Sequence, residues 1–156
     1  MTYENLDVRL IEALQDDARR SLRQLAEVLD VSTGTVRNHL RDLEERGVIR
    51  GYRPDVDYAK LGYTLVTVTR IKARGDAIPR IVDDLAADGR LTHVYEITGD
   101  FDVLVVGRFR SDEEMNREIK RLLGVEGVEG TNTSVVLEVH KEAGELALTE
   151  HREEDG

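Results

Sequence analysis

The chain is predicted to be an α+β protein in two parts, a small helical domain followed by a doubled strand–helix–strand unit. Three observations carry this. Apolar residues recur at helical spacing as far as Leu43, and serines stand where two of those helices should begin. From Tyr63 onward the apolar runs become short and β-branched, which is strand chemistry. Two of these runs each lead into an amphipathic stretch and then a further run, so the second part reads as β-α-β twice over.

The elements follow in order. Leu6, Leu10, Ile11 and Leu14 give a first helix one apolar face. Ser21-Leu22-Arg23-Gln24 fits a capping box, with a hydroxyl for the free N–H groups of a second helix and a glutamine placed to reach back. Leu22, Leu25, Ala26 and Leu29 form that helix's inner face, and Asp30-Val31 interrupts it. Ser32 is placed to cap a third helix with Val36, Leu40 and Leu43 inside, and Gly47 ends it. Its outer face shows Thr33, Thr35, Arg37, Asn38 and Arg41, side chains that hydrogen-bond base edges and phosphates in a major groove. Val48 to Arg53 reads as a short strand, a wing presenting Arg50 and Arg53. The pattern is a winged helix-turn-helix and points to DNA. Amphipathic helices with polar outer faces are common in any helical domain. What favours DNA is arginine and asparagine in place of the usual Glu/Lys mixture, a third helix to complete the core, and the arginine-bearing wing.

Pro54 to Gly62 is polar and reads as a hinge. The first β-α-β unit is predicted as strand Tyr63–Ala73, a helix capped by Asp76 over Ile78–Ala87, and strand Leu91–Thr98. The second is strand Phe101–Arg110, a helix over Ser111–Leu123 opened by the box Ser111-Asp112-Glu113-Glu114, and strand Val128–His140. Two such halves suggest a ferredoxin-like βαββαβ domain, a four-stranded antiparallel sheet with both helices on one face. The domains are then 1–53, with a hinge at 54–62, 63–141, and an acidic tail at 142–156. In Val103-Leu104-Val105-Val106 both alternating faces are apolar, as they are in Leu65-Val66 with Val68 and in Val135-Val136-Leu137. Two helices cover one face only, so the other is expected to meet the same sheet of a second subunit. A two-fold dimer also suits two helix-turn-helix units on a pseudo-palindrome.

Composition sets the outer bounds. Hydrophobic residues make up 40% of the 156 but aromatics only 4%, so aliphatic side chains must fill both cores. No run approaches the roughly 18 apolar residues of a membrane span, and the first residues lack a basic and apolar leader, so a cytoplasmic location is expected. The acceptor match Asn132-Thr133-Ser134 carries no meaning without secretion. The absence of cysteine removes disulfides, thiolate chemistry and cysteine metal sites. The histidines, His39, His93, His140 and His151, are not at ligand spacing, so neither metal nor cofactor is expected. A net charge of −10 is unusual for a DNA binder, but residues 1–60 hold 12 acids against 10 bases, and Arg37 to Arg53 carry five arginines against three acids. The presumed DNA face is thus locally positive.

In this context further residues become recognisable: Gly47-Val48-Ile49-Arg50-Gly51-Tyr52, Leu61-Gly62-Tyr63, Thr98-Gly99-Asp100-Phe101-Asp102, Gly127-Val128 and Thr131-Asn132-Thr133. Their order and spacing, from about Asn5 to Lys141, resemble the Lrp/AsnC family of feast/famine transcriptional regulators. The resemblance implies a RAM-type second domain, dimers that assemble into octamers or larger, and a small effector, usually an amino acid, bound in a cleft between dimers. By that resemblance the effector meets Gly99, Asp100 and Asp102 in one loop and Thr131, Thr133 and Ser134 in the last strand. The chemistry agrees, since the carboxylates suit an ammonium and the loop N–H groups and hydroxyls suit a carboxylate. A glycine and an aspartate there also make an ordinary hairpin turn. On the DNA side the resemblance and the helix-turn-helix reading name Ser32, Thr33, Thr35, Arg37, Asn38, Arg41, Arg50 and Arg53. One departure is His39, commonly arginine in relatives, which puts a phosphate contact in question.

Rival readings are weaker. A sirohaem decarboxylase family shares this build, and His93 with Tyr95 stands where such an enzyme would use a histidine, but no second catalytic group lies beside it. An amino-acid-sensing module that does not bind DNA would lack the helix-turn-helix. Gly124, Gly127 and Gly130 do not match the dinucleotide fingerprint. Asp100 with Asp102 has no nucleophile or water-activating partner.

Only four of the 22 basic residues are lysine, and the second part is strongly acidic. This balance suits a high-salt cytoplasm, and a halophilic archaeon is the expected source. The hypothesis predicts partial unfolding and loss of DNA binding when potassium chloride is removed, followed by circular dichroism. Full structure and activity at low ionic strength would refute it.

Overall fold

The computed structural model describes residues 5–142 and 144–148. They divide into two compact units, one running to Asp55 with the described residues from Lys141 onward, the other spanning Val56–His140. The end of the acidic tail, 149–156, with His151, lies outside the described residues.

The first unit holds α1 (Asn5–Asp16), α2 (Leu22–Leu29) and α3 (Thr33–Glu45). The capping box at Ser21 is closed both ways, the hydroxyl accepting the Gln24 N–H and the Gln24 amide oxygen accepting the Ser21 N–H. Asp30 ends α2 in the left-handed region at φ 56, a conformation that a short polar side chain tolerates. Ser32 caps α3 by accepting the Thr35 N–H. Gly47, at φ 69, ends it with paired bonds, Gly47 N–H to Glu44 C=O and Val48 N–H to Leu43 C=O. Leu10, Leu14, Leu25, Leu29, Val36 and Leu43 are buried between the helices, with Leu40, Val48 and Ile49 packed against them. Burying each such leucine stabilises the unit by roughly 1.5–3 kcal/mol.

The expected wing strand does not form a ladder. Val48 and Ile49 direct their N–H groups back to the Leu43 carbonyl, and no backbone bond among the described residues joins Arg50 to Val56 to another segment. A strand needs a neighbour, and the described residues of this unit offer none. The hinge is more ordered than a plain connection, because Tyr58–Leu61 form a 3₁₀ turn capped by Asp57.

The second unit is ferredoxin-like. Strands β1 (Leu65–Ala73), β2 (Leu91–Glu96), β3 (Val103–Phe109) and β4 (Val128–Val135) form one sheet in the order β2-β3-β1-β4, every neighbour antiparallel. Helices α4 (Ile78–Ala86) and α5 (Asp112–Leu123) bury Ile81, Leu85 and Leu122 against Ile71, Ala73, Val103 and Val105. Gly127 is obligatory: its φ is 93, and a Cβ there would stand 2.2 Å from that of Ala77. The strands are shorter than predicted. β4 stops at Val135, opposite Thr67 and near the start of β1, with one further bond from Val136 N–H to Val66 C=O. Asp76 does not cap α4, which starts after Ala77 with no side-chain cap; Asp76 pairs with Arg74 instead. At α5, Ser111 accepts the Glu114 N–H as predicted, but Glu114 reaches back to the N–H of Arg110.

Glu118, 2% exposed, lies within α5 yet is not isolated. Arg90 and Arg121 both bind it, and both also bind Asp88. The hydrogen bond from Arg90 is the main cause that holds the Asp88 carboxyl below the ordinary aspartate range. A depressed folded value means stability that is present above the unfolded value and lost as pH falls through the folded one. Asp88→Asn should therefore cost roughly 1–3 kcal/mol at neutral pH. That cost should shrink steadily below about pH 4, as read by urea unfolding at several pH values. A cost unchanged down to pH 2 would refute the assignment.

Candidate DNA-reading face and effector loop

Helix α3 is amphipathic in the way a groove-reading helix requires. Val36 and Leu43 are fully buried, while Thr33, Arg37, Asn38 and Arg41 are exposed. Arg37 and Arg41 stand one turn apart, with Asn38 beside them, so the three share a surface. Ser32 and Thr35 are engaged with each other, their hydroxyls 2.9 Å apart, and serve the helix start. Arg41 lies 3.9 Å from Glu45, a loose exposed pair. Arg37, Arg50 and Arg53 have no acid partner among the described residues, whereas Arg20, Arg23, Arg46, Arg74, Arg80, Arg90 and Arg121 are all ion-paired. Unpaired, exposed guanidinium groups on and beside one helix are what a polyanion would engage.

The segment after α3 is held by Tyr52, whose hydroxyl donates to Glu44 at 2.7 Å. Burial, reinforced by the Glu44 carboxylate, pushes the phenol up to about 12. Behind this segment a groove of about 580 Å³ runs along α1, lined by Ile11, Leu14, Val48, Ile49 and the 50–53 stretch.

His39 lies on the inner side of α3. Its Nδ1 is 2.8 Å from a carboxylate oxygen of Asp7, which is only 4% exposed. The sequence reading missed Asp7. The signal was there: an acid on the same stripe of α1 as Leu10 and Leu14 must find a polar partner in the core.

The loop between β2 and β3 is tightly held. Gly99 takes φ 105 and Asp100 is exposed. Asp102 donates its N–H to Ile71 C=O at 2.9 Å, accepts the Ile97 N–H on its C=O at 2.9 Å, and accepts the Ala73 N–H on its carboxylate at 2.8 Å. Lys72 stands 3.7 Å from the same carboxylate. Asp102 thus pins the loop to β1, leaving Asp100 as the freer carboxylate. Thr133 is hydrogen-bonded to Thr69 at 2.9 Å. Thr131 and Thr133 pair with Ile71 and Thr69, on the helix-covered face, whereas Ser134 pairs with Val68 on the open face. From Val68 to the Ile71–Ala73 end of β1 is roughly 10–17 Å, so the structure does not gather the six predicted effector residues at one point. It gathers others: Arg70 lies 5.4 Å over the Phe101 ring and donates to Asn132 at 2.7 Å. Both partners stood inside the quoted motifs, but Arg70, in a β-branched run, gave no signal of its own.

His93 and Tyr95 are exposed on the open face with ring centroids 5.7 Å apart, and His93 Nδ1 is taken up by the Thr92 hydroxyl at 2.9 Å. No group of His, Asp and Glu among the described residues could hold a metal.

Comparison with known proteins decides the family. Residues 4–50 match the winged helix-turn-helix DNA-binding model, and residues 64–146 match the Lrp/AsnC ligand binding domain. The chain belongs to the Lrp/AsnC family. It is 44% identical to an uncharacterised HTH-type transcriptional regulator of Pyrococcus furiosus, over 91% of this chain and 96% of the relative. It is 32% identical to HTH-type transcriptional regulator FL11 of Pyrococcus horikoshii, over 93% and 96%. Among solved structures it superposes on Escherichia coli AsnC with a TM-score of 0.85 at 25% identity, covering 92% of this chain and 98% of that one. A Neisseria meningitidis transcriptional regulator solved with L-methionine shares the fold, at TM-score 0.89 and 22% identity, covering 96% and 99%. This Lrp/AsnC protein is a DNA-binding transcriptional regulator whose second domain takes a small-molecule effector. No helix among its described residues is long and apolar enough to cross a membrane.

Proposed function

We propose that this regulator reads a pseudo-palindromic operator as a two-fold dimer in the cytoplasm, without catalysis, and that an amino acid bound at the 99–102 loop modulates it. Arg37, Asn38 and Arg41 read base edges, with Thr33 and Thr35 near the start of α3 and Ser32 capping it. Arg50 and Arg53 meet phosphates. The observation that carries the reading is the set of exposed, acid-free arginines, Arg37, Arg50 and Arg53, on an acidic chain. The amino-acid effector is supported by the methionine complex of the Neisseria relative and by the donors and acceptors at Gly99, Asp100, Thr131 and Thr133. The non-catalytic role is supported by relatives that are transcriptional regulators and by the engagement of His93 with Thr92.

Titrating the protein with DNA from upstream of its own coding region, at low and high potassium chloride and with or without an amino-acid mixture, tests both halves. Binding that prefers this DNA and shifts with the mixture is expected; no preference over random DNA refutes the reading. Arg37→Ala should lose roughly 1–3 kcal/mol on the specific site and relax its sequence preference. Arg53→Ala should weaken all DNA about equally and reduce the salt slope by about 1. Equal losses on specific and random DNA for Arg37→Ala would exclude base reading.

The dimer is supported by the uncovered sheet face. Val68, Leu104 and Val106, half-buried in the single chain, share it with Tyr95, which is 51% exposed. Size-exclusion with light scattering should give a dimer or larger at micromolar concentration, and Val106→Glu should dissociate it. A monomeric parent would refute the arrangement.

A further inference from the structure

We infer that the contact of His39 with the buried Asp7 carboxylate sets the rotation of α3 about its own axis, making both positioning residues for base reading by Arg37, Asn38 and Arg41. The inference rests on the DNA-reading role proposed for that helix.

The described core between α1 and α3 is built from aliphatic side chains. Leu10, Val36 and Leu43 are fully buried, with Leu14 and Leu40 beside them. Such contacts are strong but have no direction, and aliphatic cores tolerate small rotations of one helix against another. The Asp7–His39 contact is directional. It joins residues 32 apart in sequence at 2.8 Å, and Asp7 is 4% exposed, so water cannot replace the partner. His39 adjoins Asn38 and lies two residues from both Arg37 and Arg41. Fixing its azimuth therefore fixes theirs. With side chains at about 5–6 Å from the axis, a rotation of about 20° moves each tip by roughly 2 Å. That is enough to break a hydrogen bond to a base edge. A phosphate contact through a long, exposed arginine tolerates the same shift.

A buried polar pair often adds little to stability and can be replaced by apolar residues without unfolding, while still selecting one register. This separates positioning from mere support. The test uses the full chain, two duplexes (the upstream DNA and a scrambled copy) and thermal unfolding. Asp7→Leu combined with His39→Leu should remain folded, with the specific-to-scrambled affinity ratio down about tenfold and scrambled binding within twofold of the parent. Asp7→Asn, whose amide oxygen still accepts from His39, should keep the ratio. If that double variant does not fold, Asp7→Ala combined with His39→Phe, which removes both polar partners and keeps a flat ring, carries the same expectation. A folded double variant with the parent's ratio overturns the inference, as does an Asp7→Asn variant that loses the ratio equally. A loss shared by both duplexes assigns the pair to stability alone and also overturns it. A parent with no preference refutes the DNA-reading role, and the positioning role falls with it.

Discussion

The second domain depends on β1. It is one of the two central strands, with β3 on one side and β4, which has no other partner among the described residues, on the other. Its inward residues, Ile71 and Ala73, meet both helices' core partners, and its outward residue Val68 lies at the centre of the open face. The 99–102 loop is also tied to it, through Asp102 to Ile71 and Ala73, and through Arg70 to Phe101. Anything that displaces the loop must pull on the strand, and the strand carries the face proposed for subunit contact. A ligand at the loop is thus mechanically connected to assembly by one element rather than by a chain of distant contacts.

Local chemistry was readable and long-range chemistry was not. Ser21, Ser32 and Ser111 cap three helices as their spacing requires, because a cap is settled within four residues. Gly47 ends α3 for the same reason. Strand ends were overestimated wherever the answer lay in a partner. Beyond the single bond from Val136 to Val66, no ladder continues to His140 among the described residues, and the wing segment fails in the same way. Asp76 shows local competition: a nearby arginine captured the carboxylate before the helix could.

The site was legible by chemical type and less so by role. The exposed arginines of α3 and the segment behind it were identified from residue type and helical phase, which the structure preserves. Asp102 matched the motif but is occupied by backbone N–H groups and a lysine, a role that depends on loop geometry no spacing rule encodes. His39 matched an arginine position of relatives, which suggested a lost phosphate contact. Its helical phase places it opposite Arg37 and toward α1, where it meets Asp7.

Salt then decides which of these contacts matters most. Phosphate contacts weaken steeply as ionic strength rises, because their free energy comes from released counterions. Hydrogen bonds to base edges in a desolvated groove are much less screened. On a chain of net charge −10, the electrostatic share of DNA affinity is small from the outset. Discrimination must then rest on how accurately α3 presents Arg37, Asn38 and Arg41. An aliphatic core cannot fix that rotation alone, and a buried directional pair between α1 and α3 can. The more the surroundings screen the arginines, the more of the specificity passes through Asp7 and His39.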